Sequence, residues 1–162
     1  MKIEELLHMQ KDLDQHIESE HGLEDEDLVD KKILALLVEA GELANETRSF
    51  KFWSKKAPSE KSIILEEYVD GIHFILSLGL EIGLEEIDVN EQHAGGEDLN
   101  EQFLHVFKSI VEFREERSVN HFFTMFNQYL LLGEVLGFSR DDVYHAYLNK
   151  NKVNYERQKE GY

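Results

Sequence analysis

The sequence predicts an all-α protein, a helical bundle in which two central antiparallel helices carry paired carboxylates. Three observations predict it. Apolar residues recur at three- and four-residue spacing through most of the chain. Alternating, strand-like runs are almost absent. The only proline, Pro58, falls in a break between periodic segments. With 162 residues, of which 41% are hydrophobic, the chain can bury a real core, and it reads as one domain spanning 1–162.

The elements follow in order. Ile3, Leu6, Leu7, Gln10, Leu13 and Ile17 mark an N-terminal amphipathic helix over 2–18. The acidic stretch from Glu18 to Asp30, with Gly22, reads as a loop and the approach to the next helix, because carboxylates favour a helix N-terminus. A second helix is expected over 28–50, with Ile33, Leu36, Leu37, Ala40, Leu43 and Ala44 inward. Residues 51–59 break the pattern, and a third helix runs over 60–82. Its Ile64, Leu65, Tyr68, Ile72, Ile75 and Leu76 are apolar around much of the girth, which points to central burial. Residues 83–98, with Gly83, Gly95 and Gly96, read as a loop. A fourth helix carries Phe103, Val106, Phe107, Ile110 and Val111, and a fifth carries Phe122, Phe123, Phe126, Tyr129, Leu130 and Leu132. Gly137 marks a helix stop, and Ser139 with Asp142 has capping-box spacing for a sixth helix.

Composition narrows the chemistry. A formal net charge of -17 argues against nucleic-acid or anionic-membrane partners, which need a basic surface. The basic residues that exist are clustered, with Arg48, Lys51, Lys55 and Lys56 in one stretch and Lys150, Lys152, Arg157 and Lys159 in another. Either these are solvated helix ends or they meet an anion locally. Without cysteine, any metal must be held by oxygen or imidazole. No apolar run approaches a membrane span and the N-terminus is unlike a cleavable signal, so the cytoplasm is the expected compartment.

Glu39 and Glu42 lie three residues apart on the second helix, and Glu67 and Asp70 do so on the third. That spacing places each pair on one helix face, a turn apart, so two neighbouring helices can aim four carboxylates into one space. Their repulsion is relieved by divalent cations, and an all-oxygen site suits Mg2+. With 34 acidic residues such pairs also arise by chance. Context favours a site: Glu39 has Leu36 one turn before it and Leu43 one turn after, where an uncompensated carboxylate costs several kcal/mol.

The order ExxE, about two dozen residues, then ExxD resembles the signature of the all-α nucleoside triphosphate pyrophosphatases, which include the MazG proteins and the dimeric dUTPases. Four segments in order are similar to the dimeric dUTPases in particular: LVEAGELA (37–44), FKFWSK (50–55), DGIHFILS (70–77) and KNKVNYERQKEGY (150–162). The resemblance implies hydrolysis of dUTP, with dUDP as a second candidate substrate, to dUMP by a metal-activated water. Glu39, Glu42, Glu67 and Asp70 would then be Mg2+ ligands, with Glu42 as the base and Glu39 as the catalytic carboxylate beside it. Gln10, Trp53 and His73 match positions around the uracil, and Phe74 matches one beside the deoxyribose. Lys55 belongs to the second segment, and Asn151, Lys152, Asn154, Arg157 and Tyr162 to the closing segment that meets phosphates and base. Where the family often has asparagine, this chain has Asp14.

Other readings stay open at this level. Gln10 reads equally as a satisfied buried amide, Trp53 as a core aromatic and His73 as a structural hydrogen-bond donor. A broader MazG-like pyrophosphatase shares the carboxylates and differs in the base pocket, while an acidic helical interaction module lacks a reason for acids on core-facing stripes. The aromatic-rich stretch from Phe103 to Leu132 offers more apolar surface than a small monomer hides, in keeping with a homodimer.

Overall fold

A computed structural model describes residues 3–89 and 98–161 of the chain. Those residues form six helices and no strand: α1 (Ile3–His21), α2 (Val29–Thr47), α3 (Lys61–Glu81), α4 (Leu99–Glu115), α5 (Val119–Val135) and α6 (Arg140–Lys159). None of the six is long and apolar enough to cross a membrane.

The helix ends show which local signals decided them. α1 runs through His21, three residues beyond the expected stop, because the acidic run does not end it. Gly22 does, in the left-handed region at φ +64, with the Leu23 N–H returning to the Glu18 carbonyl at 2.8 Å. α2 stops at Thr47, short of the expected Phe50. Arg48 turns left-handed there at φ 58, and its guanidinium bonds Ser54 Oγ at 2.8 Å and the Lys56 carbonyl at 3.2 Å. That anchoring holds a conformation that costs a residue with a Cβ. At Gly137 the expected stop is present, with φ +84 and the Phe138 N–H bonded to the Gly133 carbonyl at 3.0 Å. The Ser139–Asp142 capping box that opens α6 is formed in both directions. Gly95 and Gly96 lie outside the described residues.

Helix α3 is the axis of the molecule, packing against α1, α2, α5 and α6, while α4 packs on α5 and α2. From Tyr68 to Gly79 almost every residue of α3 is buried. A reciprocal clamp fixes it on α5: Tyr68 Oη donates to the Tyr129 carbonyl at 3.0 Å and Tyr129 Oη to the Tyr68 carbonyl at 2.7 Å. The two rings stack 4.8 Å apart, and each seats its hydroxyl over a glycine of the facing helix, Tyr129 over Gly71 and Tyr68 over Gly133. No larger residue leaves that space.

The aromatic stretch expected to supply an oligomer surface is internal. Phe103, Phe113, Phe122, Phe126 and Tyr129 all belong to the core, because α4 and α5 turn their rings toward each other and toward α3. The apolar residues that this stretch does expose are aliphatic, among them Leu104 and Val111 on α4, and Leu34 and Val38 are exposed on the neighbouring α2.

Candidate active site

Packing α2 beside α3 brings the paired carboxylates together. Oxygens of Glu39, Glu67 and Asp70 lie within 4.8 Å of one another. Glu42, one turn beyond Glu39, is exposed at the rim and adds its charge to both Glu39 and Glu67. Glu39 Oε2 and Glu67 Oε2 are buried without any hydrogen-bond partner. Burial, and then the charges of Asp70 and Glu42, push the Glu39 carboxyl up to about 8 and the Glu67 carboxyl up to about 7. Burial also raises Asp70, which Lys150 opposes. Acids this crowded favour their protonated forms unless a cation replaces the protons, and two orphaned oxygens in a cluster of three carboxylates are a donor set that a hard divalent ion takes.

Lys150 is the protein's own cation at this cluster. Its Nζ lies 3.1 Å from Asp70 Oδ1 and 3.3 Å from Glu66 Oε1, and the residue is buried. Sequence reading placed Lys150 in a basic cluster without giving it a role. The signal that finds it is spacing on α6: Tyr147, Lys150, Asn151, Asn154 and Arg157 fall on one stripe at i, i+3, i+4, i+7 and i+10.

A cavity of about 280 Å3 opens beside the carboxylates. Glu39, Asp70, Lys150, Asn154 and Arg157 line it, as do Phe74, His73, Ser77, Gln10, Asp14 and Lys32. Along α3 the polar lining residues come at successive turns, Asp70, His73 and Ser77, so the cavity extends ~10 Å from the carboxylates. Glu39, Asp70 and Lys150 stand at one end, and the hydrogen-bonding groups Gln10, His73 and Ser77 stand at the other beside the charged Asp14, Glu18 and Lys32.

At that other end Gln10, only 4% exposed, is satisfied from within. Its Oε1 lies 2.7 Å from His73 Nδ1 and accepts from Tyr147 Oη at 2.8 Å, and its Nε2 donates to Asp14 Oδ1 at 2.8 Å. Ser77 Oγ donates to Asp14 Oδ2 at 2.6 Å. Lys32 Nζ stands 3.9 Å from Asp14, 3.5 Å from Glu18 and 2.6 Å from Glu81. Burial raises the Asp14 carboxyl, against the pull of Lys32, Ser77 and Gln10. His73 stacks on Tyr147 at 4.1 Å, and burial, then Lys150, pushes its imidazole down to about 3, so the ring is neutral. Its Nε2 is buried with no partner.

Of the remaining expected residues, Trp53, Lys55 and Lys152 sit apart. Trp53 is 65% exposed, neither core nor cavity wall, and packs edge-on against Phe50 and Phe52. Lys55 and Lys152 are exposed and outside the cavity lining. Asn151 is buried, with its Nδ2 unpartnered. Tyr162 lies outside the described residues.

An all-helical frame that sets a three-carboxylate cluster beside a cavity lined by Lys150 and Arg157 is suited to a phosphorylated ligand carried with a cation. The comparison with known families agrees: a family model described as dUTPase matches residues 2–162. The chain belongs to this dUTPase family, the all-helical dUTP diphosphatases. No curated protein matches the chain.

Proposed function

We propose that this chain hydrolyses dUTP to dUMP and pyrophosphate with Mg2+ held by Glu39, Glu67 and Asp70, Glu42 joining them from the rim. The observation that carries the reading is the pair of buried, unpartnered oxygens, Glu39 Oε2 and Glu67 Oε2, in a three-carboxylate cluster within an established dUTPase family. Bound there, Mg2+ supplies positive charge against the phosphate oxygens and acidity to a nearby water.

The chain's own groups do the rest. Arg157 and Asn154 offer donors to the phosphates from α6, and Lys150, once released by Asp70, adds a third. Glu42 sits at the solvent edge beside Glu39, where it takes the proton from the attacking water. The sugar packs on Phe74, and the uracil enters the end lined by Gln10, His73 and Ser77. Leu34, Val38, Leu104 and Val111 lie on two helices that pack together and form the homodimer face.

Pyrophosphate release from dUTP, dUDP, dCTP, dTTP and UTP, with Mg2+ and with EDTA, tests the reading. Turnover of dUTP above the others and only with Mg2+ is the expected result. Activity persisting in EDTA, or dCTP and dUTP turned over alike, refutes the metal assignment or the substrate assignment respectively.

A further inference from the structure

The buried His73 Nε2 has no hydrogen-bond partner among the described residues, so what it can bind depends on whether it carries a proton. The neighbours decide that. His73 Nδ1 faces Gln10 Oε1 at 2.7 Å, and a carbonyl oxygen only accepts, so the ring proton belongs on Nδ1 and Nε2 keeps its lone pair. Exchanging the Gln10 oxygen and nitrogen would reverse this, turning an N–H toward Nδ1 and moving the proton to Nε2.

Asp14 prevents the exchange. Its Oδ1 accepts from Gln10 Nε2 at 2.8 Å, its Oδ2 accepts from Ser77 Oγ at 2.6 Å, and Lys32 Nζ stands 3.9 Å from the carboxylate. With both oxygens accepting, the flipped amide would set its own oxygen against a carboxylate oxygen. Tyr147 Oη has one proton for two acceptors, Gln10 Oε1 at 2.8 Å and the Leu6 carbonyl at 3.2 Å, and donating it to the nearer one reinforces the orientation. No other charged group touches Gln10 among the described contacts.

We propose that Asp14 is a positioning residue for specificity, which orients Gln10 and thereby fixes His73 with a bare Nε2 acceptor, so that the cavity takes a nucleobase presenting a ring N–H. Resting on the dUTP reading, this selects uracil, whose ring N3 carries a proton, against cytosine, whose N3 is itself an acceptor and would face a second lone pair. An asparagine could receive the Gln10 bond on Oδ1 while donating Nδ2 to Ser77, so either residue serves, and alanine does not.

Long-range 1H–15N correlation spectra of the full-length protein report the His73 tautomer directly, and kcat/KM for dUTP and dCTP reports its consequence. In the parent protein Nε2 should show the shift of an unprotonated nitrogen, and dUTP should exceed dCTP by ~100-fold or more. Asp14→Ala should mix the tautomers and cut that ratio by ~10-fold or more through KM for dUTP, with kcat little changed. Asp14→Asn should restore both. A protonated Nε2 in the parent protein overturns the proposal even if Asp14→Ala fails to fold. So does an alanine variant with unchanged tautomer and ratio, or an asparagine variant as impaired as alanine. A parent protein inactive on dUTP would instead refute the substrate reading, and the spectra would still decide the role of Asp14.

Discussion

Gly71→Ala puts the tyrosine clamp under a quantitative test. The added methyl would fall on the Tyr129 hydroxyl and 2.5 Å from its Cζ. Tyr129 is fully buried, stacked on Tyr68 and bonded to the Tyr68 carbonyl at 2.7 Å, so its ring cannot swing aside without breaking that bond. Overpacking a full core costs about 2 kcal/mol, and leaving the phenol hydrogen bond unmade about 2 kcal/mol more. Alanine in a helix interior returns about 1 kcal/mol relative to glycine. The net loss is about 3 kcal/mol, which in a domain of this size lowers Tm by roughly 6 to 12 °C. Because Gly71 follows Asp70 directly, a displaced α3 also moves two of the clustered carboxylates, and turnover should fall by ~10-fold or more at a temperature where the variant is folded. Calorimetry on the two proteins, with a turnover assay at 20 °C, checks both numbers. A variant melting within about 2 °C of its parent would show that the clamp does not set the packing of α3 on α5.

Three further outcomes follow from the site. In EDTA, Glu39 and Glu67 titrate near 8 and 7 in the fold against an ordinary 4.5, so the unfolded chain releases its protons first and the metal-free fold loses stability as pH rises from about 4.5 to about 8. After discounting for partial exposure and coupling this amounts to ~1–2 kcal/mol, or roughly 4 °C in Tm between pH 5.5 and 8.5, and Mg2+ should flatten the slope. A slope unaltered by Mg2+ and by Glu39→Gln would contradict the assignment. Lys150→Met removes the buried partner of Asp70, and should lower stability by about 2 kcal/mol in EDTA but less with Mg2+, while raising KM; equal losses in both buffers would rule out competition between lysine and metal. Glu42→Gln keeps the shape and removes the rim carboxylate, so turnover should drop by ~10²-fold with Tm unchanged, and near-normal turnover would mean another group takes the proton.

The first five helices were legible because each buries an apolar stripe with a 3.6-residue period, α6 was legible from its capping box, and α3 betrayed its central place by being apolar nearly all round. The carboxylate pairs were legible for the same reason, since i, i+3 spacing fixes a face whatever lies opposite. Lys150 was not, because α6 is polar on every side and hydrophobic pattern gives it no orientation. Nor was the network around Gln10. Asp14 is one turn along α1, but the partners at positions 73 and 147 come from α3 and α6, and no spacing within one helix relates them to Gln10. The end of α2 was misjudged at Phe50 because a left-handed arginine is rare, and only the later Ser54 and Lys56 make it tolerable at position 48.

Among the described residues, every charged or hydrogen-bonding residue that lines the cavity stands on a helix; the two that line it from outside the helices, Leu23 and Leu28, are both leucines. Many enzymes diversify by exchanging loops over a fixed scaffold, and insertions there leave the frame alone. That route is closed to this cavity. A new ligand preference has to come by replacing a side chain in place or by rotating a whole helix, and adding or removing one residue within a helix turns everything beyond it by about 100°. Length variation among relatives should therefore collect between helices, and changes of substrate in single substitutions on α1, α3 and α6.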